Sequence, residues 1–168
     1  PRPEWLKALR RRCDETGALL ILDEIQAGYG RTGSLFAFEQ YGIKPDILLL
    51  AKGFGGGMPI GAFIAPRTIM QTLAFDPPLG HITTFGGHPV SAAAALATLK
   101  VLLESDLIGQ VFSKEKLFRE LLIHPAIREV RIAGLWLAVD LGDAIAVQRT
   151  IQHCLKHGVV TDWFLFND

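Results

Sequence analysis

The sequence has only two cysteines, Cys13 and Cys154, far apart in stretches that read as helices. Two isolated thiols exclude a disulfide scaffold and fit a reduced setting, so a cytoplasmic location is expected. No apolar run approaches the ~20 residues of a membrane-spanning helix. No basic stretch followed by an apolar one opens the chain as an export signal would. An excess of one charge is missing too, since 17 basic residues balance 17 acidic ones. That balance argues against a dedicated nucleic-acid or membrane-surface protein, and neither partner is expected. There is no internal repeat and no low-complexity segment. An initiator methionine is also lacking, the chain opening at Pro1, and a portion of a longer protein is expected.

Apolar residues are plentiful, at 49% of 168 residues. That is enough for the core of one domain, or for parts of two. The chain is organised around residues 18–65. Two short, nearly continuous apolar runs lie there, Ala18–Leu22 and Asp46–Ala51 (apolar from Ile47). Runs without alternation suit strands buried on both faces, as in a parallel sheet covered by helices. The first is followed by Asp23 and Glu24, the second by Lys52. Ligands of open α/β sheets bind outside the carboxyl ends of the strands. An acid and a lysine there are candidates to hold opposite ends of one small molecule.

Around these runs the pattern predicts a helix over Pro3–Thr16, with Trp5, Leu6, Leu9 and Cys13 at helical spacing and Gly17 as its C-terminal cap. Its Arg10-Arg11-Arg12 run reads as a solvated face. Residues 34–42 form a helical turn, and Gly61–Ala65 a third strand after a glycine-dense loop. Val90–Glu104 is an alanine-rich helix able to pack closely on a neighbour. The chain leaves this domain near Gly109, giving a division into 1–109 and 110–168. The second part reads helix (Ser113–Ile123), strands (Glu129–Ile132 and Leu135–Leu141), an Asp143-capped helix to His157, and a last strand, Val159–Phe166. Alternating α/β followed by a strand, strand, helix, strand tail is α/β joined to α+β.

Two decoys need weighing. Gly28-Tyr29-Gly30-Arg31-Thr32-Gly33 matches the G-x-G-x-x-G dinucleotide fingerprint. That fingerprint needs its glycines directly at a strand-to-helix turn, with an acid at the end of the next strand. Here five residues separate strand from glycine, and Asp46 stands at the start of the next strand. His153 and His157 lie four apart on one helix face but have no third ligand in sight, so a metal site is not expected. His88 reads as a helix N-terminal residue with a local hydrogen bond rather than an acid–base group. No phosphate-loop G-x-x-x-x-G-K-[ST] is present.

DEIQAGYGRTG, PDILLLAKGFGGGMPIGA and HITTFGGHPVSAAAAL, in this order and at these spacings, resemble the class III, pyridoxal-phosphate-dependent aminotransferases, nearest the acetylornithine and ornithine aminotransferases. The resemblance covers essentially the whole chain. It implies a fold-type-I α/β enzyme: the second half of a large, mostly parallel sheet domain plus part of a small α+β domain. Lys52 takes the position of the family's Schiff-base lysine and proton carrier. Its apolar and glycine neighbours would favour the neutral amine. Asp23 would keep the cofactor's ring nitrogen protonated, and Gln26 would hydrogen-bond the ring's phenolic oxygen. Glu24 would stand behind them or anchor the loop, a plain surface carboxylate being the alternative. Thr84 would bind the cofactor phosphate of a neighbouring subunit in a homodimer, and Thr83 would contact substrate or phosphate.

The implied activity is transfer of an amino group from an ornithine-like or other ω-amino donor to a 2-oxo acid such as 2-oxoglutarate. The departures are Ile82 and Thr83 where the family has glycine and serine, and His88 in place of asparagine. The family's phosphate loop, ring-stacking aromatic and substrate-carboxylate arginine have no counterpart here. A bidentate arginine clamp is hard to replace, so the 168 residues alone are not expected to be a competent enzyme. Three alternatives stay open: a decarboxylase or aminomutase of the same fold, a non-catalytic module, and a nicotinamide oxidoreductase using Gly28–Gly33.

Overall fold

The computed structural model describes residues 1–78 and 80–163, which divide into two compact units, Pro1–Val111 and Phe112 onward.

Helix α1 (Pro3–Thr16) starts with proline in its first turn and ends at Gly17, whose φ of 71° lets its N–H return to the Cys13 carbonyl. Leu6, Leu9 and Cys13 fall on one stripe and meet Leu20, Leu22, Ile43, Phe38 and Tyr41 in the core. Trp5, one position off that stripe, is exposed. Arg10 is not part of a solvated face either: its side chain is 16% exposed and reaches both Asp14 and Asp46 at 2.7 Å. Asp46 Oδ2 also accepts from the Leu20 N–H at 2.7 Å. One carboxylate thus ties α1 to the entrances of two strands, while Arg11 and Arg12 remain in solvent.

These bonds hold the Asp46 carboxyl below its ordinary value of 3.8, the Leu20 N–H first and the Arg10 guanidinium second, against a smaller opposing effect of burial. A depressed carboxyl stabilises the fold above the ordinary carboxylate range and loses that contribution as pH falls through the folded value. Asp46→Asn should therefore lower stability at pH 7 and flatten the loss of stability between about pH 5 and pH 2, as read by denaturant titration across that range.

Strands β1 (Ile21–Asp23) and β2 (Ile47–Leu50) run parallel, with Ile21 opposite Ile47 and Asp23 opposite Leu49. The crossover carries a 3-10 turn, Ala37–Tyr41, stopped by Gly42 at φ 62°. Strand β3 (Ala62–Ile64) pairs antiparallel with β2, because residues 51–61 fold straight back without a crossover. The strands are shorter than the apolar runs, and only one face is well covered. Leu20, Leu48 and Leu50 are buried, while Leu19, Ile21 (52% exposed) and Phe63 are open. Burial on both faces, expected from the unbroken runs, is not provided by these residues.

After the short helix α2 (Arg67–Met70), helix α3 (Pro89–Glu104) packs on the glycine turn that follows β2. Ser91, Ala94, Ala95 and Thr98 recur at helical spacing, and Ser91 and Ala95 are buried. Gly56, at φ 58°, lies under this face: a Cβ there would collide with the Thr98 hydroxyl and sit 3.2 Å from the Ala94 carbonyl.

The second unit is built from α4 (Val111–Leu121, its first residue in the first unit), the hairpin β4 (Glu129–Ala133) and β5 (Trp136–Asp140), and α5 (Ala144–Lys156). Gly134, at φ 62°, opens the two-residue hairpin turn, and its N–H donates to Glu115 Oε2 of α4 at 2.7 Å. Arg119 holds the other oxygen of Glu115. Asp143 caps α5 by accepting from the Ala146 N–H at 2.8 Å. The last strand expected over Val159–Phe166 is absent from its described part, residues 159–163, and the rest lies outside the described residues.

Candidate functional site

Parallel neighbours end at the same edge of a sheet, so the exits of β1 and β2 open side by side. Asp23 closes β1 there. It is exposed, and among the described residues its Oδ1 accepts only the nearby Ile25 N–H, at 2.9 Å. A carboxylate in that state retains lone pairs for a ligand. Gln26 is exposed in the turn that follows.

Glu24 behaves differently from Asp23. It is 5% exposed, and its two oxygens accept the Ala37 and Phe38 N–H groups at 2.9 Å each. Its own N–H donates to the Leu49 carbonyl at 3.0 Å. Both oxygens are thus engaged inside the fold, fastening the 3-10 turn beneath the loop. It is not a surface carboxylate. Gly28 is required just beyond, because a Cβ there would come within 2.9 Å of the Glu24 carbonyl.

Lys52 follows β2 after Ala51 and holds φ at 50°, a left-handed conformation rare for a residue with a side chain. Such a conformation costs roughly 1–2 kcal/mol, and strain of this kind clusters at functional sites. The turn's own bonds maintain it, Phe54 N–H to Ala51 at 3.1 Å and Gly56 N–H to Gly53 at 3.3 Å. Lys52 is exposed. The desolvation expected from its apolar and glycine neighbours is therefore not supplied by these residues.

Tyr29 was not singled out by the sequence. It too is left-handed, at φ 58°, and burial pushes its phenol above the ordinary range. The glycines around it do not form a dinucleotide site, since a succession of turns, and no α-helix, follows Gly33.

Thr83 and Thr84 lie elsewhere in the first unit. They line an open groove of about 510 Å³ with Pro59, Ile60, Gly61, Gly86 and Ser91. Neither Lys52 nor Asp23 lines it. The groove reaches the first turn of α3, where His88 makes no side-chain cap. Free N–H groups at a helix start, beside two hydroxyls, suit a phosphate. The chain thus brings Asp23, Gln26 and Lys52 to one edge and keeps both threonines in a separate groove. The His153 and His157 rings lie tilted at 51°, centroids 4.6 Å apart, at the end of α5, and no group of three metal-ligating side chains occurs among the described residues.

A family model for class III aminotransferases matches residues 1–164. The chain is 32% identical to Plasmodium falciparum ornithine delta-aminotransferase, with a TM-score of 0.85 over 97% of this chain and 42% of that one. It is 34% identical to the Toxoplasma gondii ornithine aminotransferase, with a TM-score of 0.83 over 96% of this chain and 39% of that one. That structure has PLP at partial occupancy in its active site. A Bacillus anthracis aminotransferase is 31% identical, with a TM-score of 0.83 over 94% of this chain and 39% of that one. The chain spans about two fifths of the length of these relatives.

Proposed function

The chain belongs to the class III aminotransferases, a pyridoxal-phosphate-dependent family of fold type I, and we propose that the full-length protein moves an amino group from an ornithine-like or other ω-amino donor to a 2-oxo acid such as 2-oxoglutarate. The observation that carries this reading is the pairing of a lightly used carboxylate, Asp23, with a strained lysine, Lys52, at one edge of two parallel strands. An acid and an amine so placed fit the two ends of a pyridine aldehyde.

When bound, the cofactor supplies an electron sink for the charge that develops on the substrate. The chain's own residues do the rest. Asp23 keeps a proton on the ring nitrogen, because a carboxylate stabilises the positive form beside it. The Gln26 amide hydrogen-bonds the ring's phenolic oxygen. The Lys52 amine would hold the cofactor by its aldehyde carbon and, once the donor amine had displaced it, would carry the proton from the donor carbon to that cofactor carbon. Glu24 holds the loop that carries Asp23 and Gln26.

Thr84, with its hydroxyl and N–H, binds the phosphate in the neighbouring copy of a homodimer, and Thr83 contacts phosphate or substrate. The separate groove of the two threonines supports this division of labour. Residues 1–109 serve as part of the cofactor-binding domain and 110–168 as part of the small domain, in a cytoplasmic enzyme. Turnover by the 168 residues alone is not expected, since no segment here matches the arginine that receives the substrate carboxylate.

The test is a product assay on the full-length protein loaded with cofactor, ornithine and 2-oxoglutarate. Glutamate formed one for one with loss of the donor amine is the expected result. Carbon dioxide release without glutamate would assign the decarboxylating branch of the fold instead.

A further inference from the structure

The strained turn of Lys52 has a neighbour that its own segment does not supply. Tyr29 lies half-buried in the loop after β1, and its Cβ is 3.5 Å from where a Cβ of Gly53 would stand. Its ring meets that of Phe54 edge-on, with centroids 5.7 Å apart and planes at 64°. On the other side it meets Phe36 in the same manner, at 6.1 Å and 75°. Phe36 stacks on Phe38 at 5.8 Å with planes 5° apart. The Glu24 carboxylate grips the backbone of this same segment, through the Ala37 and Phe38 N–H groups.

A closed path results. It runs from Asp23 and Glu24 through the 3-10 turn to Phe36, across Tyr29 to Phe54, and back to Lys52. Edge-to-face rings are directional as well as apolar, so the path constrains orientation and not only distance. Two left-handed residues, Tyr29 and Lys52, lie in the two turns that this path joins.

We propose that Tyr29 is a positioning residue for Lys52, its ring clasping the left-handed turn so that the amine is presented beside Asp23. The clasp rests on the reading of Lys52 given above. The ring does this work, so Tyr29→Phe should be silent while Tyr29→Ala releases the turn.

The experiment compares full-length protein carrying Tyr29→Phe, Tyr29→Ala, Phe54→Leu, which opens the clasp from its other end, and Asp143→Ala, which removes the cap of α5 in the second unit. Two readouts are taken. The first is amide exchange at Phe54, Gly56 and Met58, whose N–H groups bond within the turn. The second is the share of borohydride-trapped pyridoxal phosphate carried by Lys52 rather than by Lys44 or Lys100. Tyr29→Ala and Phe54→Leu should speed exchange at those amides about tenfold and at least halve the Lys52 share. Tyr29→Phe should match the wild type, and Asp143→Ala should lower Tm with the Lys52 share unchanged.

Wild-type exchange in a folded Tyr29→Ala or Phe54→Leu protein would overturn the clasp, as would Tyr29→Phe behaving like Tyr29→Ala. Faster exchange at the turn in a protein whose wild type never labels Lys52 would sink the reading of Lys52 and leave the clasp standing.

Discussion

Lys52→Ala should lower kcat/KM of the full-length enzyme by about 1,000-fold or more, the scale of a lost proton-transfer group. The loss should appear in kcat, since the role proposed for the amine is at the reacting carbon and not at the rest of the substrate. Lys52→Gly should be as inactive, yet more stable than Lys52→Ala by about 1 kcal/mol, since glycine occupies the left-handed region without the Cβ clash. Thermal unfolding of the two variants side by side reads the difference. Activity lost while strain is relieved is the signature of a conformation kept for chemistry. If Lys52→Ala and Lys52→Gly were equally stable, the φ of 50° would carry no strain.

The second large effect concerns the bed on which that turn rests. Gly56→Val places a branched side chain at φ 58°, against the Thr98 hydroxyl and the Ala94 carbonyl. The left-handed backbone costs roughly 1–2 kcal/mol and the overpacking roughly 1–3 more, so about 3 kcal/mol is expected. Shortening the partner should recover part of it: Thr98→Ala in the Gly56→Val background removes the hydroxyl that the new side chain meets but not the backbone cost. Urea titration of the single and double variants separates the two contributions. An unchanged midpoint for Gly56→Val would mean that α3 does not press on the turn.

Much of this arrangement is legible in the sequence, because it depends on local chemistry. Proline at one end and Gly17 at the other bound α1 as they would any helix, and Asp143 announces the cap of α5. The alanine and serine face of α3 foretells a close approach, although not that its partner is a glycine turn instead of a strand. Periodicity could not say that β3 returns antiparallel, since a three-residue apolar strand looks the same in either direction. Unbroken apolar runs suggested a sheet covered on both faces, yet what covers Ile21 and Phe63 is not among these residues.

The site divides in the same way. Asp23 and Lys52 stand out because each closes an apolar run with a charge, and a strand's end is visible in sequence. The resemblance offered Glu24 as a loop anchor without showing its partners, 13 positions on, and Arg10 did not reveal its role, because Asp46 lies 36 positions away. Hydrogen bonds and ion pairs of that range leave no local pattern. A carboxylate directly after a strand and ahead of a loop rich in glycine was the one available hint. Tyr29 escaped notice for a related reason: an aromatic between two glycines reads as an exposed turn residue until its neighbours Phe36 and Phe54 are known. What remained hidden in each case was a long-range contact that converts an ordinary loop into a rigid one.

The assignment of Lys52 as the cofactor lysine is tested most directly by mixing the full-length protein with pyridoxal phosphate, reducing with borohydride and mapping the modified peptide. A yellow, reducible absorbance and a pyridoxyl group on the peptide containing Lys52 are predicted. A label scattered over Lys7, Lys44 and Lys100, or no label on a well-folded protein, would contradict it.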